Sequence, residues 1–489
     1  MDFKLDKAHL LQQELFRKFA ETEIKPLAKE MDENEEYDLG LVEKMQKYGF
    51  FGIPYAKEYG GASSDTLAYT LCMEEVSKVD ASTGITISVH TSLCCSCINN
   101  YGTEEQKQKY LAPLCRGELL GAFALTEPNA GSDAAGVKTV AVYDEATNEY
   151  VLNGTKCFIT GGARAGVLVI FASTDPSKGT RGITAFIVEK DTPGFSSGKI
   201  ENKMGIAGSE TAELIFEDCR VPAANVLGKV NQGFKIAMQA LDGARIGVGA
   251  QAIGVAEGAI DLAVKYANER VQFGKPIAAL QGIQWYIAEM ATKTAAARAL
   301  VERAAWLQDA GQPYTLASAM CKLNASENAR FVTNLALQIH GGSGFMMDYP
   351  IQRYARDARI TNIYEGTTQL QVVAAIRYVT NGSYLAQMRE FEAAEVCEAM
   401  KPLQARAKKM ADLFEEATNY VKEAKDQEFH DICARHLVEM AADVIMLHLI
   451  QYNATQAPEM FERSARVYAN FAEAEVIKHH AWVMNMTAE

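Results

Sequence analysis

The chain of 489 residues lacks a basic surplus: 48 Lys and Arg stand against 62 Asp and Glu, for a formal net charge of −14. That argues against nucleic acid, whose phosphates demand a basic footprint. Phosphate-bearing cofactors stay open, since they need only a few local arginines and helix N-termini. Paired cysteines at metal-binding spacing are also missing. Of the ten cysteines, Cys94, Cys95 and Cys97 crowd one uncharged segment, but no second cluster accompanies them. They read as small buried apolar residues in a reducing compartment. No uncharged apolar run is expected to reach the length of a bilayer span. The start, Met-Asp-Phe-Lys-Leu-Asp-Lys, is charged where a signal peptide would be apolar. The expectation is a cytoplasmic prokaryotic protein, or else a mature form in the mitochondrial matrix. Internal repeats and low-complexity tracts are absent.

What is present is the composition of a soluble globular protein, 48% hydrophobic and 22% charged. The length suits two or three structural domains. Apolar residues at three- and four-residue spacing predict helices over 9–35, 39–48 and 66–79, with a further one ending at 110–114. From 121 to 230 the character changes. Tyr150-Val-Leu-Asn-Gly-Thr-Lys reads as strand then turn, and Val167-Leu-Val-Ile-Phe-Ala and Ile183-Thr-Ala-Phe-Ile-Val-Glu are β-branched runs of strand length. Helical periodicity returns from 231, including 289–307 and 316–340. The predicted division is a helical domain 1–120, a β domain 121–230, a helical bundle 231–384 and a helical extension 385–489. In the extension, Leu437, Ala441, Val444, Ile445 and His448 share one helix face. It carries 11 basic and 18 acidic residues, so about a fifth of the chain holds half the net charge.

The most informative stretch is Ile363-Tyr-Glu-Gly-Thr-Thr-Gln369, which sets a lone carboxylate, Glu365, among apolar and small residues late in a helical region. Partial burial there would raise its pKa toward the working pH, as abstraction of a proton from a weak carbon acid requires. Four further motifs point the same way. Phe123-Ala-Leu-Thr-Glu-Pro-Asn-Ala-Gly-Ser-Asp133 begins as a strand and breaks into a turn whose amides and hydroxyls suit the polar edge of a planar ring. Lys156-Cys-Phe-Ile-Thr-Gly-Gly162 offers another hydroxyl at a strand end. Arg270-Val-Gln-Phe-Gly-Lys-Pro-Ile277 sets a cation, an amide and an aromatic beside a tight turn. Gln338-Ile-His-Gly-Gly-Ser-Gly-Phe345 is a glycine-rich break after a helix, where backbone can approach a ligand closely. Each alone is equally well ordinary turn chemistry; all four in this order are not.

With these motifs the chain resembles the acyl-CoA dehydrogenase family over residues 1–384, most closely its short-chain, butyryl-CoA-type branch. The resemblance implies an α+β multidomain fold: a helical N-terminal domain, a central β domain and a C-terminal four-helix bundle, usually in a homotetramer with FAD. By position Glu365 matches the catalytic base. One branch of the family carries its base just before the arginine of Leu241-Asp-Gly-Ala-Arg245, where this chain has Ala244. Phe123, Leu125, Thr126, Ser132, Phe158 and Thr160 match positions around the flavin ring. Arg270, Gln272, Phe273, Gln338 and Gly342 match those holding the diphosphate and adenosine part, often across a subunit boundary. Thr367 and Gln369 match flavin contacts after the base. Asp242 and Arg245 match CoA contacts, and Ser132, Tyr364 and Gly366 join the substrate side. Phe158 stands where Trp is common, Gly161 where Asn is usual, and Ala207 where Arg is frequent; the last removes a cation.

The implied chemistry is α,β-dehydrogenation of an acyl-CoA to the trans-2-enoyl-CoA, with electrons passed to an electron-transfer flavoprotein. The thioester carbonyl is bound by the backbone N–H of the base and the flavin ribityl chain, bonds that strengthen as enolate charge develops. Gln251 and Thr361 fall where the short-chain branch shortens the acyl pocket, favouring about four carbons. Residues 81–100 hold no Lys or Arg, which argues against a glutaryl substrate. Enoyl reduction, including that of an aromatic or branched acyl group, is an alternative, as are an oxidase and a non-catalytic acyl-CoA-binding scaffold. The extension lies beyond the resemblance to the short-chain branch. It reads as a docked helical module for subunit contacts or a redox partner, and its acidity argues against a membrane.

Overall fold

A computed structural model describes residues 5–487. It divides the chain into two compact units, one of residues up to 255 with 308–311, the other of 256–307 with 312 onward.

The first unit opens on helices started by aspartates. Asp6, Asp65 and Asp80 each accept a backbone N–H three residues on, fixing the starts of Lys7–Phe19, Thr66–Ser77 and Ala81–Ser88. The long helix expected over 9–35 is interrupted at 25–27, where Pro26 has no N–H to continue the ladder. The uncharged stretch Ala81–Tyr101 overturns one expectation. With 21 residues and a mean hydropathy of 1.2 it does reach spanning length, as does Gly233–Glu269 at 1.3. Both windows are 83% buried within protein, so their apolarity serves the core. Cys94, Cys95 and Cys97 lie in that buried stretch.

The β domain is one eight-stranded sheet formed by β1 (Gly121–Ala124), β2 (Val140–Asp144), β3 (Glu149–Thr160), β4 (Val167–Ser173), β5 (Ile183–Glu189), β6 (Phe195–Ile200), β7 (Thr211–Pro222) and β8 (Val226–Leu227). Its order is β6-β7-β3-β2-β4-β5-β8, with β1 parallel to β4. The β-branched run of β4 is buried along its whole length, as a central strand covered on both faces must be. A second correction concerns Asn153-Gly154, read as a turn. β3 runs straight through it, with a register shift between Leu152 and Gly154. Gly154 sits at φ 150°, and a Cβ there would come within 2.8 Å of the Thr139 backbone, so glycine serves a bulge. A second shift follows between Lys156 and Ile159.

The second unit is helical apart from the short pairing of Val271–Gln272 with Lys275–Pro276. Gln281–Asp309, Thr315–His340, Ile351–Ile360 and Thr368–Thr380 are followed by the extension helices Ser383–Glu392, Lys401–Ala424, Gln427–Gln456 and Pro458–Met484. The extension is docked on its neighbours within the unit. Tyr384 Oη donates to Leu316 O at 3.3 Å, and Arg303 lies 4.6 Å above the Phe391 ring. Lys293 Nζ lies between the rings of Phe331 and Phe471, at 4.4 and 5.4 Å. The face Leu437, Ala441, Val444, Ile445 and His448 is buried, as its spacing predicts.

Candidate active site

Glu365 does not lie in a helix. It occupies the loop that joins Ile351–Ile360 to Thr368–Thr380, at φ 50°, and Gly366 follows at φ 96°. A non-glycine residue in the left-handed region costs on the order of 1 kcal/mol and persists where its surroundings fix it. Both carboxylate oxygens of Glu365 are shielded from solvent. Fully buried Lys322 donates from Nζ to Gly366 O at 2.6 Å. Equally buried Gln371 donates to Gly366 O at 3.0 Å and Glu365 O at 3.3 Å. Thr367 caps the next helix by accepting from Leu370 N. Glu327 closes the loop from the other side, accepting from Asn362 Nδ2 at 3.0 Å and Thr368 Oγ1 at 2.7 Å. Burial pushes the Glu327 carboxyl up, but the Thr368 and Arg330 hydrogen bonds and the Arg330 charge bring it net below the usual range. Thr361 is buried, its hydroxyl donating to Ala358 O, while Gln369 is exposed and Tyr364 half-buried.

Two other predicted groups in this unit are brought together. Arg270, Gln272 and Phe273 form an exposed hairpin of β9 (Val271–Gln272) and β10 (Lys275–Pro276), with Phe273 89% exposed at φ 52°. One turn before it, Tyr266 stacks on His340 at 4.4 Å and donates to Ser343 Oγ at 3.2 Å. That contact ties the helix end that leads into the hairpin to the turn Gly341–Phe345, which follows Gln338. Burial lowers the His340 pKa against the bond to Ala336 O, favouring neutral imidazole at this stack.

The remaining residues belong to the first unit. β1 delivers Phe123, buried, into Leu125 and Thr126, and Thr126 O accepts from Cys157 N at 3.0 Å. The bulge beside it turns Phe158 out: at φ 58° the ring is 64% exposed, the re-aiming of a side chain that a bulge provides. Thr160 ends β3, and Ser132 lies exposed on the loop after β1. On the helix Gly233–Glu269, Arg245 Nη1 donates to Asp242 Oδ1 at 2.6 Å. Ala244 is buried, so that position offers no carboxylate. Gln251 is buried and donates to Ala81 O at 3.0 Å.

Sequence reasoning missed the residues that hold these segments. Lys156 is fully buried and pairs with Glu127 at 2.8 Å. Lys322, Gln371 and Glu327 do the same for the Glu365 loop. The available signal was a lone polar residue in an apolar run, as in Met320-Cys-Lys-Leu323 and Leu370-Gln-Val-Val373.

Four family descriptions match in order: the acyl-CoA dehydrogenase N-terminal domain over 6–118, middle domain over 122–219, C-terminal domain over 231–378, and a separate acyl-CoA dehydrogenase C terminal over 380–489. Acryloyl-CoA reductase (NADH) of Anaerotignum propionicum is 64% identical over 78% of this chain and 96% of its own length. Among solved structures, butyryl-CoA dehydrogenase of Megasphaera elsdenii is 47% identical with a TM-score of 0.75, over 77% of this chain and 98% of that one. A chain from the structure described as electron transferring flavoprotein of Acidaminococcus fermentans is 52% identical with a TM-score of 0.76, over 78% and 99%. An acyl-CoA dehydrogenase complexed with FAD from Bacillus anthracis is 29% identical, with a TM-score of 0.90 over 98% of this chain and 88% of its own. The chain therefore belongs to the acyl-CoA dehydrogenase family of oxidoreductases, close to its short-chain members, and carries the additional C-terminal domain. Its cofactor is FAD. The residues fit that group: an exposed aromatic on a bulge beside hydroxyls, and Gly161, Gly341 and Gly342, where a Cβ would meet no atom within 4 Å.

Proposed function

We propose that the protein interconverts a short-chain acyl-CoA and its trans-2-enoyl-CoA, with Glu365 handling the α-proton. The observation that carries this reading is the shielded carboxylate of Glu365 in a left-handed loop held by two buried donors. Such a side chain is set for one geometry, which is what proton transfer at carbon needs. In the oxidative direction the Glu365 carboxylate takes the α-proton; in the reductive direction the carboxylic acid returns it. The backbone N–H of Glu365 binds the thioester carbonyl and stabilises enolate charge as it develops. Bound FAD supplies a two-electron acceptor or donor of hydride for the β-carbon. Phe123, Leu125, Thr126, Ser132, Phe158, Thr160, Thr367 and Gln369 would hold its ring. Arg270, Gln272, Phe273, Gln338 and Gly342 would hold its diphosphate and adenosine part. Arg245, oriented by Asp242, meets the CoA moiety, and Ser132, Tyr364 and Gly366 meet the acyl thioester. Gln251 and Thr361 bound the acyl chain at about four carbons.

The test is an anaerobic titration with butyryl-CoA, following the visible flavin band, beside Glu365→Gln. Bleaching in the wild type but not in the variant is expected. Bleaching in both would remove Glu365 from the role of base.

One observation favours a reductive role, the 64% identity to an acryloyl-CoA reductase (NADH). On this second reading an electron-transfer flavoprotein carries electrons from NADH to the enzyme. The likeness to a chain from the electron transferring flavoprotein structure of Acidaminococcus fermentans supports that partner. NADH oxidation that needs the protein, the flavoprotein and a short enoyl-CoA together would establish it. Reduction of the flavoprotein by butyryl-CoA alone would favour the oxidative role.

A further inference from the structure

The loop bearing Glu365 could be fixed by any neutral contact, yet it is held by a desolvated ammonium. Lys322 lies two turns into the helix Thr315–His340 with no exposed surface, and its Nζ donates to Gly366 O at 2.6 Å. Gln371, on the helix that follows the loop, adds a second donor to Gly366 O and a longer one to Glu365 O. Burying an ammonium is costly, so a buried lysine is retained where its hydrogen bonds fix something. What is fixed here is the direction of two successive peptide planes. In a planar trans peptide the C=O and N–H point opposite ways. Donors that draw the Glu365 and Gly366 carbonyls toward the two helices therefore turn the N–H groups of Gly366 and Thr367 away from them.

We propose that Lys322 and Gln371 are positioning residues that orient the Glu365 loop for proton transfer, acting on its carbonyls without touching the substrate. The inference rests on the reading of Glu365 as the base. It differs from a structural role in one consequence: loosening the tie should slow proton transfer more than it weakens substrate binding, because the pair sets the base and not the pocket.

The experiment follows exchange of the α-hydrogens of butyryl-CoA in D2O by NMR, a step that needs the base but no electron partner, together with kcat and KM. The holoenzyme is compared with Lys322→Met, Lys322→Gln, Gln371→Leu and Glu365→Gln. FAD content and thermal unfolding of each variant serve as controls for folding. Lys322→Met should slow exchange and kcat about 100-fold, the cost of a misplacement of about 1 Å, while KM moves less than about threefold. Lys322→Gln, which keeps an N–H donor, should recover about tenfold of that loss on the same grounds. Gln371→Leu removes no charge and should fall about tenfold, so it carries the test if Lys322→Met does not fold. Exchange within about threefold of wild type in folded, FAD-loaded Lys322→Met or Gln371→Leu, with Glu365→Gln silent, overturns the inference and leaves the base assigned. Exchange that survives in Glu365→Gln overturns the assignment of the base itself.

Discussion

Lys156 Nζ stands 2.8 Å from Glu127 Oε1 with the lysine fully buried and the glutamate 6% exposed. The ammonium also donates to Leu125 O at 3.2 Å and Phe171 O at 2.6 Å. Glu127 accepts from the backbone N–H of Lys138 at 2.6 Å and Thr139 at 3.0 Å. One pair thus joins the end of β1, the middle of β3, β4 and the approach to β2. The segment from Leu125 to Thr126 is pinned on two sides as a result. Removing only the lysine would leave a carboxylate buried without its countercharge. Lys156→Met should therefore lower stability by about 3–5 kcal/mol. Pairing it with Glu127→Gln should restore at least about 1 kcal/mol of the loss, because the orphaned charge goes too. Denaturant unfolding of the three variants decides. A double variant no more stable than Lys156→Met would show that the charge is not the source of the cost.

Gly366 stands at φ 96° directly after the base, and Gly382 stands at φ 83° where the extension begins. A Cβ at Gly382 meets no atom within 4 Å. Alanine at either site costs the same kind of backbone strain, about 1 kcal/mol. The functional consequences should differ. Gly366→Ala should reduce kcat at least about tenfold through the misplaced base, and Gly382→Ala should leave it unchanged. Thermal unfolding beside steady-state kinetics tests both; equal kinetic losses would disconnect the Gly366 conformation from catalysis.

These two sites show what a sequence does and does not disclose. Period-3.6 and period-2 patterns marked the helices and the apolar strands β4 and β5, because burial on one face or on both leaves a periodic trace. Glu365 stood out because a lone carboxylate among apolar and small residues is chemically conspicuous. Lys322 did not, since what it holds in the loop is a backbone carbonyl 44 residues away, and backbone acceptors leave no trace in the chain. Asn153-Gly154 reads as a turn by local propensity, while the observed bulge depends on Thr139 in a neighbouring segment. For the extension, periodicity showed the buried face but not the surface it docks against. Its partners, Arg303, Lys293 and Leu316, lie about 70 to 180 residues upstream of Phe391, Phe471 and Tyr384.

The docked extension should matter to assembly. Trp285 meets Phe471 at 5.8 Å between centroids, and Thr380 Oγ1 lies 3.0 Å from His430 Nε2. Val372, Ala375, Ile376 and Val379 on the helix before the extension are buried. Deleting 385–489 uncovers apolar surface of this unit, and exposed patches of that kind drive association. The truncated protein should show a different number of subunits by analytical ultracentrifugation, or altered electron transfer to an electron-transfer flavoprotein. Unchanged values in both measurements would leave the extension no role beyond local stability.

Asp443 supplies a pH dependence of unusual sign. It lies on the helix Gln427–Gln456 and accepts from Tyr468 Oη at 2.9 Å. Burial pushes its pKa up to about 7, opposed by the Tyr468 hydrogen bond and Lys293 and assisted by Glu475 and Glu439. Between the ordinary value of 3.8 and about 7 the folded protein holds a proton that the unfolded chain has released. Unfolding then releases a proton, so stability from this group falls as pH rises through that window and levels off above it. A shift of about three units corresponds to at most about 4 kcal/mol, and the partial exposure of the side chain brings the expectation to about 1–2 kcal/mol. His90 and His448, each pushed down to about 4 by burial, act oppositely and lose stability as pH falls from 6.5. Those contributions are common to wild type and variant, so the difference between the two isolates Asp443. Asp443→Asn keeps an acceptor for Tyr468 and removes the titration. It should match wild type near pH 4, gain on it steadily to pH 7, and hold a constant advantage at pH 8 when unfolding is followed by far-UV circular dichroism. A difference that does not vary with pH would mean that Asp443 is ionised throughout in the folded protein.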